Sequence, residues 1–286
     1  MSVQQNKNFN IYTEKQKEVL ELEKYYFKIL YKIFSQKSFS DELKAIMDDI
    51  NSDWEGIHKI YSKANVVDLA VERHINFRVY NDSSLKNILK IYPSVISSDT
   101  AFVTDKAVIN IDSKTNSVKG NPNDWGRQTV GINQISLDNK SNHHSEEKGY
   151  VKITGLLKPY YNFKAKELPV LSFFLSTLYF SNKEEGYDAW YIDSDYSEKP
   201  YNDKVKNKSL VKKEFLKNIK FACMPHRSLS DLFKYKIVDG VKTYAYDPPK
   251  AKNPSGTKSV RIAHESLENR YDSNGNYWSG FESWTI

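Results

Sequence analysis

The chain has 286 residues and carries 42 Lys and Arg against 36 Asp and Glu, a formal net charge of +6. That length buries a substantial core, and 39% hydrophobic with 14% aromatic residues excludes a disordered chain. A single cysteine, Cys223, excludes a disulfide framework and a multi-cysteine zinc site. Its apolar setting, Phe221-Ala222-Cys223-Met224, marks a core thiol rather than a nucleophile. The longest nearly apolar stretch, Leu168 to Phe180, has 13 residues. A spanning helix needs roughly 18, and the N-terminus has no apolar signal segment, so a soluble cytoplasmic protein is expected.

In chain order, helical periodicity predicts a long amphipathic helix from Thr13, its N-cap, to Phe34, with Val19, Leu20, Tyr26, Phe27, Leu30 and Ile33 inward. A second helix is expected from Ser40, burying Leu43, Ile46, Met47 and Ile50. A third is expected from about Asp53 to Val79, with Val67, Val71, Ile75 and Val79 on one stripe. Ser84 to Ile91 reads as a short fourth helix that Pro93 ends. The pattern then turns to strands. Thr100–Val103 and Ala107–Ile111 flank the turn Thr104-Asp105-Lys106 and form a hairpin. Gly120 to Gly131 reads as a polar loop followed by Ile132–Leu137, and a second polar loop covers Asn139 to Lys148. Tyr150–Leu157 and Leu168–Phe180 are further strands, the second the most buried. Asn218–Cys223 is a late strand and Ser228–Phe233 a late helix. Tyr244 to Ile286 reads as irregular. The economical description is one α/β domain over 1–286, with 1–92 mainly helical, 93–182 the sheet core, and 183–286 a late strand, helix and C-terminal segment.

The hairpin carries the chemistry. Asp99 opens its first strand, and Asp112-Ser113-Lys114 closes its second. Residues i and i+2 of a strand share a face, so Asp112 and Lys114 point together, and the antiparallel return brings Asp99 beside them. Two converging carboxylates with an adjacent ammonium make a hard-oxygen site suited to Mg²⁺. Acid-x-Lys by itself is a common pattern, occurring here at Glu42, Asp112, Asp138 and Glu146. The Asp112 occurrence alone ends an apolar strand with another acid one hairpin upstream.

Ser98-Asp99…Asp112-Ser113-Lys114 resembles the motif of the PD-(D/E)XK nuclease superfamily, and within it the type II restriction endonucleases, with Ser98 where the motif's proline stands. The resemblance covers roughly residues 60 to 140. It implies a central mixed sheet flanked by helices, Mg²⁺-dependent hydrolysis of DNA phosphodiesters, and a homodimer on a near-palindromic site, with a cognate methyltransferase in the same prokaryotic cell. On that reading Asp99, Asp112 and the Ser113 backbone carbonyl hold the metal, and Lys114 sits by the attacking water. Glu72 of the preceding helix is the third acid, with Asp68 one turn earlier as the alternative, and supports a metal or its water. The loop from Lys119 to Gln128 then lies near DNA. Arg127, Asn133 and Gln134 are of the types that read base edges, and Arg227, Lys258 and Arg261 are further contact candidates.

Other patterns carry less. The lysines between Lys199 and Lys220 form either a solvated face or a phosphate-contacting patch. Tyr246-Asp247-Pro248-Pro249 lacks the aromatic that would complete a methyltransferase motif and reads as a turn. His143-His144 reads as a solvated pair. No P-loop, His-Glu-x-x-His or Gly-x-Ser-x-Gly occurs. Two readings stand beside a sequence-specific endonuclease: a structure-selective repair or recombination nuclease of the same superfamily, and a DNA-binding module whose hairpin acids are structural.

Overall fold

The first helix, α1 (Glu14–Phe34), begins where the sequence places it. Thr13 Oγ1 accepts from Gln16 N (3.2 Å) while Gln16 Oε1 accepts from Thr13 N (2.9 Å), a reciprocal capping box. Residues 12–52, 66–91, 98–117, 125–139, 153–182, 213–232, 236–238, 241–243, 259–268 and 270–286 are described in this computed structural model. After a break at Ser35-Gln36, α2 (Lys37–Ser52) starts three residues before the expected Ser40. Its first turn drives Phe39 fully into the core, against Phe34 (ring centroids 5.3 Å), so burial sets the start rather than a serine cap. Helix α3 (Val66–Asn81) buries Val67, Val71, Ile75 and Val79 as expected, while the earlier part from Asp53 lies outside the described residues.

The expected fourth helix, Ser84–Ile91, is instead one 3₁₀ turn, Ser83–Leu85, followed by strand β1 (Lys90–Ile91). Only Leu85 is buried there, and Leu89 N donates to Val103 O (2.7 Å). Sheet pairing captures the backbone that a helix would otherwise have used. The remaining strands are β2 (Thr100–Val103), β3 (Val108–Ser117), β4 (Arg127–Gly131), β5 (Asp138–Asn139), β6 (Ile153–Thr154), β7 (Tyr160–Phe163), β8 (Lys166–Asn182) and β9 (Lys213–Met224). They continue with β10 (Lys236–Val238), β11 (Val241–Thr243), β12 (Ser259–Ala263), β13 (Arg270–Tyr271), β14 (Tyr277–Trp278) and β15 (Phe281–Thr285); a short helix, α4 (His264–Glu268), follows β12.

The main sheet runs β1-β2-β3-β8-β9-β15, with β7 also paired to β8. Every pairing is antiparallel except β3 with β8, which is parallel, so the sheet is mixed as expected. One face takes the helices: Ile109, Ile111, Phe173, Leu175, Ile219, Phe221 and Cys223 meet α1, α2 and α3 in the largest core cluster. Phe221 is stacked 5.0 Å from Phe27 and 5.8 Å from Phe173. The thiol of Cys223 is buried, and burial raises its pKa well above the ordinary range. On the other face, Phe174, Ala222 and Met224 pack against Val130, Ile135, Leu137, Ile262 and Leu267.

That second layer corrects the sequence reading. The supposed loop to Gly131 ends in β4, which pairs with β12 from a stretch read as irregular, and Ile132–Gln134 form a 3₁₀ turn. Val130 and Ile262 need a partner surface; Ser259–Ala263 alternates but is only five residues long, and the polar Gln128 at a buried position hides the pattern of β4. Among the described residues of Tyr150–Leu157, Ile153–Thr154 are strand, and the late helix is a 3₁₀ turn, Arg227–Leu232. The loop 140–150, including His143-His144, and the Tyr246 turn lie outside the described residues, as does most of the lysine-rich stretch. Among the described residues no helix is long and apolar enough to cross a membrane.

The C-terminal segment is fastened to α1 by charge. Lys24 Nζ pairs with Asp272 (2.5 Å), and Ser273 N donates to Glu21 Oε1 (2.9 Å). Glu23, fully buried, pairs with Arg270 and accepts from His226 N (2.7 Å), while Arg270 lies 4.9 Å from the Trp278 ring centroid. Arg270→Met leaves the Glu23 carboxylate buried without its counter-ion and is expected to destabilise by about 3–5 kcal/mol. The double variant with Glu23→Leu should recover most of that, which urea unfolding measures. A second prediction concerns the β7–β8 turn, where Lys164 (φ 47°) and Ala165 (φ 60°) both adopt the left-handed region. Replacing the pair by Asn-Gly, which suits a type I′ turn, should stabilise by about 2 kcal/mol and raise Tm.

Candidate active site

Strand β3 is buried from Val108 to Ser113 and emerges from the core at Lys114. Its chemistry sits at that boundary. Asp112 is 1% exposed, and its Oδ2 pairs with the Lys114 ammonium on the same face. The β2–β3 register, Thr100 opposite Ile111, carries Asp99 to the neighbouring end. Asp99 Oδ2 accepts from Ser113 N (2.6 Å) and from Ser113 Oγ (2.8 Å), so the predicted convergence of Asp99, Asp112 and Lys114 is present in the fold. Helix α3 brings a stripe of i, i+4 side chains over the hairpin. Thr115 Oγ1 donates to Asp68 Oδ1 (2.7 Å), Glu72 lies one turn on, and Asn76 accepts from Thr100 Oγ1 (2.8 Å).

Four carboxylates, those of Asp68, Glu72, Asp99 and Asp112, thus share one region with the Lys114 ammonium. Burial raises the Asp112 pKa to about 7; Lys114 opposes that shift, and Asp99 and Glu72 add to it. Burial also raises Glu72 to about 7, reinforced by Asp99 and Asp68 and opposed by Lys114 and Arg73. Asp68 is raised by burial despite its bond from Thr115. The region therefore carries negative charge that its own cation does not balance. Asp112 Oδ2 is buried and forms no hydrogen bond of good geometry. Among the described residues, no three carboxylate, imidazole or thiolate side chains already form a metal cage. The donor set, two carboxylates and a backbone carbonyl at a strand end, fits a hard divalent cation and suits no soft one.

The other predicted residues separate into groups. Gln134 is turned inward: its Nε2 donates to Asp112 Oδ1, and its Oε1 accepts from Gly131 N (2.7 Å). Arg227 donates from Nε to Ser136 O (2.9 Å) and from Nη2 to Gly155 O, so its guanidinium holds loop carbonyls. Arg127 and Asn133 flank the β4 layer, half-buried and exposed respectively. The β4–β12 register sets Arg261 opposite Thr129 and Ala263 opposite Arg127. Lys119, Lys258 and the Arg261 side chain lie outside the described residues.

One neighbour escaped the sequence reading. The registers Lys114–Ser176 and Ser176–Lys220 place Lys220 in the same row of the sheet as Lys114, two strands away. Lys220 is buried, which lowers its pKa to about 8. Its ammonium donates to Trp125 O, lies 4.0 Å from the Trp125 ring centroid and stands 3.5 Å from His264 Nδ1. Ser176 between the two lysines exchanges hydrogen bonds with Gln128. In the sequence Lys220 figured only as the last of the lysine-rich stretch, and its place on the inward face with Ala222 and Met224 follows from the strand pairing.

Two solved structures share this architecture. The restriction endonuclease BglI bound to its DNA recognition sequence superposes with a TM-score of 0.61 at 13% identity, covering 97% of this chain and 94% of that one. The tetrameric restriction endonuclease SfiI bound to cognate DNA gives 0.59 at 14% identity, covering 99% and 98%. At such identities the likeness is one of fold, and it agrees with the mixed, helix-flanked sheet expected from the hairpin motif. No curated protein matches this chain in sequence. Residues 11–184, more than half of the chain and including the hairpin with α3, match the family defined by the N-terminal domain of the type II restriction enzyme MwoI, and the chain belongs to that family.

Proposed function

We propose that this protein is a Mg²⁺-dependent endonuclease that cuts double-stranded DNA at a specific sequence. The observation that carries the reading is the ion pair of Asp112 with Lys114 at the buried end of β3, with Asp99, Glu72 and Asp68 gathered around it. Asp99, Asp112 and the Ser113 carbonyl would hold the metal. When bound, Mg²⁺ supplies positive charge against the charge developing on the scissile phosphate and eases deprotonation of water. Lys114, held on the Asp112 side of the strand, orients the attacking water. Glu72, whose raised pKa suits proton exchange near neutrality, supports that water from α3. Hydrolysis proceeds by in-line attack, with no covalent enzyme intermediate.

DNA contact is assigned to the β4/β12 ribbon. A two-stranded ribbon fits the major groove, and its register gathers Arg127, Thr129 and Arg261 at positions that alternate with the buried Gln128, Val130 and Ile262. Asn133 follows directly, and Lys119 and Lys258 precede the two strands in sequence. Each chain carries one such hairpin and a duplex has two strands, so two copies acting on a near-palindromic site cut both. A cognate methyltransferase would protect the host's own DNA.

The test is a digest of long unmethylated duplex DNA with Mg²⁺. Wild type should give discrete bands, and Asp112→Ala should fall below about one hundredth of that rate while still binding DNA. A smear would instead indicate a nuclease without sequence preference, and full activity in Asp112→Ala would remove the site assignment. The charge argument has its own measurement. A carboxylate raised in the folded state contributes stability below its unfolded pKa and loses it as pH rises through the folded value. With Asp112 and Glu72 at about 7, metal-free protein should weaken between about pH 4 and 7. Asp112→Asn in EDTA should therefore melt above wild type at pH 8, with the difference shrinking at pH 5.

A further inference from the structure

Gln134 is a residue type that reads adenine, and it follows the ribbon assigned to DNA, yet its amide is aimed at the hairpin. Three of its polar groups have partners in the second layer or at the site. Nε2 donates to Asp112 Oδ1, Oε1 accepts from Gly131 N (2.7 Å), and the backbone carbonyl accepts from Asn110 Nδ2 (3.0 Å). These partners fix the amide's orientation. Turned over, Oε1 would face a carboxylate and the NH₂ would face an N–H donor, two repulsions in place of two bonds. Asn110 also donates to Ser172 Oγ (3.4 Å), so the β3 residue that holds the 3₁₀ turn is itself bonded to β8.

We propose that Gln134 is a positioning residue for Asp112, holding one carboxylate oxygen so that the other is presented to a divalent cation, and that its Gly131 anchor ties this orientation to the end of β4. The inference rests on the reading of Asp112 as a metal ligand. A ligating carboxylate held by an outer hydrogen bond keeps one orientation in the metal-free protein, so less ordering is needed when the ion arrives. The connection is short: Gly131 ends β4, and Gln134 lies three residues later in the following turn. A shift of the ribbon therefore reaches the Asp112 carboxylate through a single side chain.

The glycine supplies an independent handle. At Gly131, where φ is −77°, an added Cβ would lie 2.5 Å from Asn133 Oδ1 and 2.8 Å from Gln134 Oε1. Both are ends of flexible side chains, so Gly131→Ala displaces the amide without removing it and without backbone strain. Gln134→Met keeps the length of the side chain and removes its hydrogen bonds.

The test is calorimetric titration of Ca²⁺ into the full chain without DNA, alongside the Mg²⁺ concentration that gives half-maximal cleavage. Loss of such an outer contact should weaken Ca²⁺ binding and raise the half-maximal Mg²⁺ concentration by about tenfold to a hundredfold in Gln134→Met, and in the same direction in Gly131→Ala. At saturating Mg²⁺ much of the cleavage rate should return. Unchanged Ca²⁺ affinity in folded Gln134→Met overturns the proposal; if that variant does not fold, the same result in Gly131→Ala overturns it. Asp112→Asn separates the two levels. If it leaves Ca²⁺ binding intact, the metal reading itself fails; if it abolishes binding while both other variants bind normally, only the positioning role fails.

Discussion

The parallel pairing of β3 with β8, from Val108 opposite Val170 to Ser117 opposite Tyr179, is the constraint on which the site depends. A strand paired on both edges and covered on both faces has no room for charge along its length. Residues 108 to 111 of β3 accordingly carry no charge, and Asn110 satisfies its amide against a backbone carbonyl and Ser172. Charge becomes tolerable only where the strand leaves the core. Asp112 and Lys114 occupy that exit, close enough to neutralise each other in part, and Asp112 lies deep enough for its pKa to stay raised. The antiparallel β2 fixes Asp99 against Ser113, and α3, packed on the same hairpin, fixes Glu72 and Asp68. The acids converge because three separate packing requirements end at one point.

The two faces of the sheet serve different ends. The helical face buries Phe27, Phe34, Phe173 and Phe221 in one aromatic stack, and α1 then grips the last strands through Glu21, Glu23 and Lys24. Buried ion pairs add little net stability over apolar replacements, but they penalise any arrangement in which the partners separate. Glu23 with Arg270 therefore specifies where the C-terminal segment lies more than it strengthens the fold. On the opposite face the β4/β12 layer is thinner and depends on Val130, Ile135, Ile262 and Leu267. Beside that apolar contact with Phe174, Ala222 and Met224, hydrogen bonds of Gln128, Gln134 and Lys220 couple the layer to the β3–β8–β9 surface.

The hairpin was legible in the sequence because both of its signals are local. Two short apolar runs flanking a polar turn set the strands, and the i, i+2 spacing of Asp112 and Lys114 set their common face. Helix α1 was equally readable from its periodicity and its Thr13 N-cap, and the structure adds Gln16, which closes a capping box with it. What failed was long-range. Strand β12 pairs with β4 across more than a hundred residues, and nothing in Ser259–Ala263 alone shows a partner so distant. The start of α2 was misplaced because a hydroxyl at Ser40 suggested a cap where burial of Phe39 decides the matter. Gln134 illustrates the same limit at the site. Its residue type suggested base reading, and only the register of the second layer turns its amide toward Asp112.

The raised carboxylates explain why such a cluster persists. An isolated fold would lower its energy by replacing one of Asp68, Glu72 or Asp112 with a neutral side chain, since each is held above its ordinary pKa by burial and the acids repel one another. The cost is largest near neutral pH, where these groups must be ionised to bind a cation. Asp99 and Asp68 accept from Ser113 and Thr115 at the strand end, which gives those two acids a structural use, but it does not require Glu72 and Asp112 beside them. A bound divalent cation would reverse the sign of the local charge balance and convert mutual repulsion into shared ligation. On the proposed reading, stability forgone without the ion would become affinity with it, and side chains such as Gln134 that prevent Asp112 from relaxing away would preserve that difference.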